Sequence, residues 1–126
     1  MTLPNWHVLV VEDEADSMEL VRGILEYHNI STSGAPTAED ALEILDEKIP
    51  TLIIVDLALP KMDGWGLLNE LQTNEKYSEI TRVAITAYHT PTLANEAIEA
   101  GFDAYFAKPI DATSFVRELQ GIMEDS

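Results

Sequence analysis

The chain has 126 residues, a length near the commonest size of a single domain. Hydrophobic residues make up 46% and charged residues 24%, too apolar a balance for a disordered chain. Seven basic residues against 23 acidic ones leave a net charge of −16, which repels phosphate backbones and anionic lipid and argues against direct nucleic-acid or membrane binding.

Apolar runs alternate with helical periods from end to end. Trp6–Val11 is β-branched and predicts a strand. Met18, Val21, Ile24 and Leu25 recur at helical spacing and predict a helix from about Ala15 to His28. Ile30–Ser33 is a weak second strand, closed by Gly34 and Pro36. Thr37 reads as an N-cap, with Asp40 three residues on and Ala38, Ala41, Leu42 and Leu45 as the inner stripe. Pro50 ends that helix. Leu52–Val55 is continuously apolar, as a strand covered on both faces must be.

Pro60–Gly66 is expected to be a loop, leading into a helix with Leu67, Leu68 and Leu71. Arg82–Ile85 is a fourth strand. Thr90-Pro91 starts a helix with proline at its first position. Its inner stripe is expected at Ala94, Ala97 and Ile98, with Gly101 as the stop. Ala104–Ala107 is a fifth strand, and Asp111 is expected to cap a last helix with Phe115, Leu119, Ile122 and Met123 inward. The fold class is therefore α/β: parallel strands joined by right-handed helical crossovers, with five helices on the two faces of one sheet. Residues 1–126 are expected to be one domain. The absence of cysteine excludes disulfides, thiolate metal sites and cysteine nucleophiles, and it fits a reducing compartment such as the cytoplasm. No apolar run is long enough to span a membrane, and Met1–Asn5 lacks the basic start of a secretory signal.

In an open α/β sheet, ligands bind outside the carboxyl ends of the strands. The first strand runs out into Glu12 and Asp13, with Glu14 and Asp16 close by; the third into Asp56; the fourth into Thr86 and Ala87; the fifth into Lys108 and Pro109. One sheet edge thus gathers three carboxylates, a hydroxyl and an ammonium. Hard oxygen donors of this kind suit Mg²⁺. A carboxylate such as Asp56 can accept a phosphoryl group as an aspartyl phosphate if cations and donors stabilise the charge. Lys108, Mg²⁺ and Thr86 would supply them.

Four segments carry a family resemblance: Val10-Val11-Glu12-Asp13-Glu14, Val55-Asp56-Leu57-Ala58-Leu59-Pro60-Lys61-Met62-Asp63-Gly64, Ile85-Thr86-Ala87 and Tyr105-Phe106-Ala107-Lys108-Pro109. Together they resemble the receiver domain of two-component response regulators, of the stand-alone chemotaxis-regulator type. The resemblance covers nearly the whole chain and implies a doubly wound, flavodoxin-like sheet of five parallel strands in the order 2-1-3-4-5. It implies Asp56 as phosphoacceptor, and Glu12, Asp13, Asp56 and the Ala58 carbonyl as Mg²⁺ ligands. Thr86 and Tyr105 would be the switch pair, and Lys108 the phosphate-binding lysine, with a cis bond to Pro109. Many members have Asp where this chain has Glu12. Ala58 and Tyr88 hold the positions that flank the path of water to the phosphoryl group. The implied function is a phosphorylation-activated signalling switch. Its donor would be a sensor histidine kinase or histidine phosphotransfer protein, and its output a protein partner at the face of the fourth helix, fifth strand and fifth helix. It would catalyse only its own phosphoryl transfer and dephosphorylation.

Three other functions compete. A Mg²⁺-dependent aspartyl phosphohydrolase usually has a second Asp two residues after the nucleophile, with the nucleophile at the first strand; here that position is Ala58, and the nucleophile candidate ends the third strand. A flavodoxin-like cofactor carrier needs a phosphate loop where Glu12-Asp13-Glu14 stands. A receiver-like interaction module that is never phosphorylated would not need Asp56, Thr86 and Lys108 together. His7, His28 and His89 are scattered and are read as neither phosphoryl carriers nor metal ligands. The Trp and Met residues are read as packing.

Overall fold

The computed structural model describes residues 5–124. Residues 1–4, most of the segment read for a signal, and residues 125–126 lie outside the described part, so the single-domain expectation is followed only over 5–124. The elements run β1 (His7–Val11), α1 (Ala15–Tyr27), β2 (Ser31–Ala35), α2 (Ala38–Glu47), β3 (Leu52–Asp56), α3 (Gly64–Gln72), β4 (Thr81–Thr86), α4 (Pro91–Ala100), β5 (Ala104–Ala107) and α5 (Phe115–Glu124).

All strands are parallel, and the sheet order is β2-β1-β3-β4-β5. The chain steps from β1 outward to β2, then returns across β1 to β3 and continues to β5. Right-handed crossovers that travel in opposite directions place their helices on opposite faces. Two cores result. Leu9, Val11, Ile53, Val55 and Ala84 face Ala41 and Leu45 of α2, Leu67 and Leu71 of α3, and Ala97 of α4. Val8, Val10, Ile54, Val83 and Ile85 face Val21 and Leu25 of α1 and Phe115 and Leu119 of α5. Alternate residues of one strand serve opposite cores, so β3 is buried at every position from Leu52 to Asp56.

Helix starts follow local chemistry. The Thr37 hydroxyl accepts from the Asp40 amide at 3.0 Å, and the Thr90 hydroxyl from the Leu93 amide at 3.0 Å. Asp63 accepts from the Gly66 amide at 2.9 Å, so α3 begins at Gly64, inside the segment expected to be loop. Gly101 closes α4 with φ of 127°, a conformation side chains disfavour.

Elsewhere the structure differs from the pattern. Strand β2 begins after Ile30 and runs through Gly34, which pairs with Val10; ladder bonds to β1, not hydrophobicity, hold this edge strand. Trp6 lies before β1. Ile98 is 49% exposed, and the inward residues of α4 are Leu93, Ala94 and Ala97, because the short helix meets the sheet along a narrow stripe. A 3-10 turn at Glu75–Tyr77, which the sequence did not suggest, buries Tyr77. Asp111 caps a turn ahead of α5, accepting from the amide and hydroxyl of Thr113 at 2.9 and 2.6 Å, while its carbonyl accepts from the Phe115 amide. Among the described residues, no helix is long and apolar enough to cross a membrane.

Candidate functional site

The strand order reverses at β1 and β3, where crossovers leave in opposite directions across the sheet, and this opens a crevice beyond their carboxyl ends where the acidic residues of both strands converge. Carboxylate oxygens of Glu12, Asp13 and Asp56 lie within 4.8 Å of one another. Asp13 is exposed, Asp56 is 4% exposed, and Glu12, at 1%, lies beneath them. Such burial of like charges requires compensation. Lys108, arriving from the end of β5, provides it: its Nζ donates to Asp56 Oδ2 at 3.0 Å and to Glu12 Oε1 in a shorter contact. Asp56 Oδ1 accepts from the Ala58 amide at 2.9 Å, which fixes the carboxylate by both oxygens.

Electrostatics separates the two buried acids. Burial, and then the neighbouring Asp56, push Glu12 up to about 7 against the pull of Lys108. Burial also acts to raise Asp56, but hydrogen bonds from Glu12, the Ala58 amide and Lys108 outweigh it and hold Asp56 below its ordinary value. Lys108 is raised overall, its two carboxylate partners overcoming the desolvation that would lower it. The arrangement keeps Asp56 an anion and Lys108 a cation.

Above these groups lies an open cavity of about 280 Å³ lined by Asp13, Glu14, Asp56, Ala58, Ala87, Tyr88 and Lys108. Glu12 and Thr86 are not on its wall. The Thr86 hydroxyl, 1% exposed, accepts from the Tyr88 amide at 3.1 Å, so it stands at the end of β4 without a bond to Asp56. At Ala58, expected to lend its carbonyl, the contact observed is made by the amide. Tyr88 is 73% exposed at the cavity rim. Tyr105, half-buried on β5, is raised by burial, and its hydroxyl meets His89 Nδ1 at 2.9 Å. The Lys108–Pro109 peptide is cis.

Gly64 shows why the loop after Asp56 tolerates no side chain at its end. A Cβ there would lie 2.7 Å from Leu57 Cα and 2.8 Å from the Asp56 carbonyl oxygen. The start of α3 is packed directly on the backbone that presents Asp56. The strand ends placed Glu12 and Lys108 at one sheet edge but gave no sign of the bond between them, and the contact between His89 and Tyr105 had no sequence signal.

Three carboxylates with hard oxygen donors, one exposed and two buried and sharing one lysine, fit a divalent cation such as Mg²⁺. Comparison with known proteins shows the family. The family model described as response regulator receiver domain matches residues 8–120. An uncharacterised 14.6 kDa protein of Leptolyngbya boryana is 34% identical over 119 residues, covering 94% of this chain and 91% of its own. The polar-differentiation response regulator DivK of Brucella ovis is 28% identical over 119 residues, covering 94% of this chain and 97% of its own. Among solved structures, NtrX from Brucella abortus superposes with a TM-score of 0.88 at 29% identity, covering 97% of this chain; this chain spans 27% of NtrX. The fold, the acidic crevice and the match along almost the whole length establish that the chain belongs to the response regulator receiver domain family.

Proposed function

We propose that this receiver domain accepts a phosphoryl group on Asp56 from the phosphohistidine of a sensor kinase or phosphotransfer protein. The observation that carries the reading is the Asp56 carboxylate itself. It is anchored by the buried β3, held below its ordinary pKa, clamped by the Ala58 amide and Lys108, and placed on the wall of the open cavity.

An oxygen of Asp56 attacks phosphorus, the bond from phosphorus to the donor's histidine nitrogen breaks, and that nitrogen leaves with the electron pair. Asp13 and Asp56, with the Ala58 carbonyl, would hold Mg²⁺, and Glu12 would reach it from beneath. When bound, the cation neutralises charge on the phosphoryl oxygens. Lys108 exchanges its bond to Asp56 for one to a phosphoryl oxygen. The Thr86 hydroxyl turns from the Tyr88 amide toward the phosphoryl group, and Tyr105 follows. The face formed by α4, β5 and α5 then changes its affinity for a protein partner, with Ile98 among its exposed apolar side chains. Ala58 stands two residues after Asp56, where an aspartyl phosphohydrolase usually carries its second Asp, which favours a switch over a phosphohydrolase acting on small esters. A cytoplasmic location follows from this reading.

The test is phosphorylation by acetyl phosphate followed on Phos-tag gels. The wild type should shift only with Mg²⁺ present. Asp56→Asn should not shift, and a shift that survives that substitution would refute the assignment.

A further inference from the structure

The loop between β4 and α4 carries a histidine that phosphoryl transfer leaves unused. His89 is exposed, yet its imidazole is engaged: Nδ1 lies 2.9 Å from the Tyr105 hydroxyl, and the two rings sit 5.4 Å apart, tilted by 44°. Either tautomer serves, because a hydroxyl can donate or accept.

The position of Tyr105 makes this contact consequential. In the β4–β5 register, Ala84 pairs with Tyr105 and Thr86 with Ala107. Paired residues share a sheet face, so Thr86 and Tyr105 stand as diagonal neighbours with only alanines at the two intervening positions. The loop joining Thr86 to the Thr90 N-cap is just Ala87, Tyr88 and His89. It is tied at one end by the bond from the Tyr88 amide to Thr86 Oγ1, and at the other by the bond from the Leu93 amide to Thr90 Oγ1. A loop this short, held at both ends, has little slack. A Thr86 hydroxyl that turned toward the phosphoryl group would give up its bond to the Tyr88 amide, and the loop that carries His89 would lose that tether.

We propose that His89 latches Tyr105 in its resting position and so sets how readily phosphorylation turns the switch. The proposal rests on Asp56 being the phosphoacceptor. A contact made only in the resting state raises the weight of that state and must be given up on activation. One exposed hydrogen bond and one ring contact make a modest latch. It biases the switch without blocking it, by roughly three- to tenfold in the equilibrium between states.

Solution NMR of ¹³C-labelled tyrosine tests this directly, by following the Tyr105 ring while beryllofluoride, a mimic of the phosphoryl group, is titrated in excess Mg²⁺. The proteins are the wild type, His89→Ala, His89→Gln and Asp56→Asn. In resting His89→Ala, the Tyr105 signals should move part-way to the beryllofluoride-bound position, and the titration midpoint should fall roughly three- to tenfold. His89→Gln, whose amide can still reach the hydroxyl, should lie nearer the wild type. The melting temperature should barely change, since His89 is exposed. Tyr105 signals and a midpoint in His89→Ala that match the wild type would overturn the latch alone. A wild type whose Tyr105 ignores beryllofluoride, or an Asp56→Asn variant that responds equally, would overturn the phosphoacceptor reading and the latch with it.

Discussion

Lys108 Nζ lies 3.0 Å from Asp56 Oδ2, joining the ends of two strands 52 residues apart in sequence. With Glu12 also in reach, this lysine is shared by two carboxylates that are otherwise out of water. Removing one partner of a buried pair leaves an uncompensated charge. Lys108 is only half-buried, so screening reduces the cost to about 1–2 kcal/mol. Lys108→Ala should therefore melt several degrees lower than the wild type in metal-free buffer. An unchanged melting temperature would show that solvent already neutralises the crevice.

Mg²⁺ should stabilise the folded chain, because it relieves the repulsion among Glu12, Asp13 and Asp56. A ligand that binds only the native state adds about 2.7 kcal/mol at a hundredfold excess over its dissociation constant. Thermal melts with and without millimolar Mg²⁺ should differ for the wild type. The difference should shrink in Asp13→Ala, whose carboxylate is the exposed member of the three.

The raised Glu12 predicts a pH dependence in metal-free buffer. Its unfolded value is 4.5 and its folded value about 7. Below 4.5 both states hold the proton, and the stabilisation is fully present. Between 4.5 and about 7 only the folded state holds it, so stability falls as pH rises. Asp56 is lowered from 3.8, so its own contribution is lost only at more acidic pH. His7, lowered from 6.5 by burial and then by Lys48, slopes the other way just below that value. The difference between wild type and Glu12→Gln isolates the Glu12 part. Denaturant titrations from pH 5 to 8 should show a decline with pH that is smaller in Glu12→Gln; equal slopes would contradict the shift.

Tyr88 should lengthen the life of the phosphorylated state. Tyr88 lines the cavity that Asp56 also lines, while Ala58 is too small to exclude water. An aromatic ring can cover the phosphoryl group and leave its hydroxyl in solvent. Tyr88→Ala should speed phosphate release in excess Mg²⁺ by several-fold, which is about 1 kcal/mol of barrier. Decay that is equal or slower in the variant would mean that Tyr88 does not shield the site.

Much of this protein is legible along the chain, because its elements are specified locally. The continuous apolar run Leu52–Val55 reads as a strand buried on both faces, and it is one. Thr37 and Thr90 announce helix starts because a hydroxyl satisfies an amide three residues away. Alternation of strands with helices determined a parallel sheet, and the residues leaving each strand determined which carboxylates, hydroxyl and ammonium would meet at one edge. The strand order came from family resemblance, since periodicity is silent on which strands are neighbours. Tertiary structure alone decided the rest. Strand β2 takes its length from ladder bonds to β1, which its small polar residues do not advertise. Ile98 faces outward because α4 touches the sheet along a narrow stripe. Lys108 chooses both Glu12 and Asp56, and His89 chooses Tyr105, only once the sheet has brought their strands together. Hydrogen bonds and charge pairs between distant segments depend on ångström-scale placement, and no local pattern of residues encodes that.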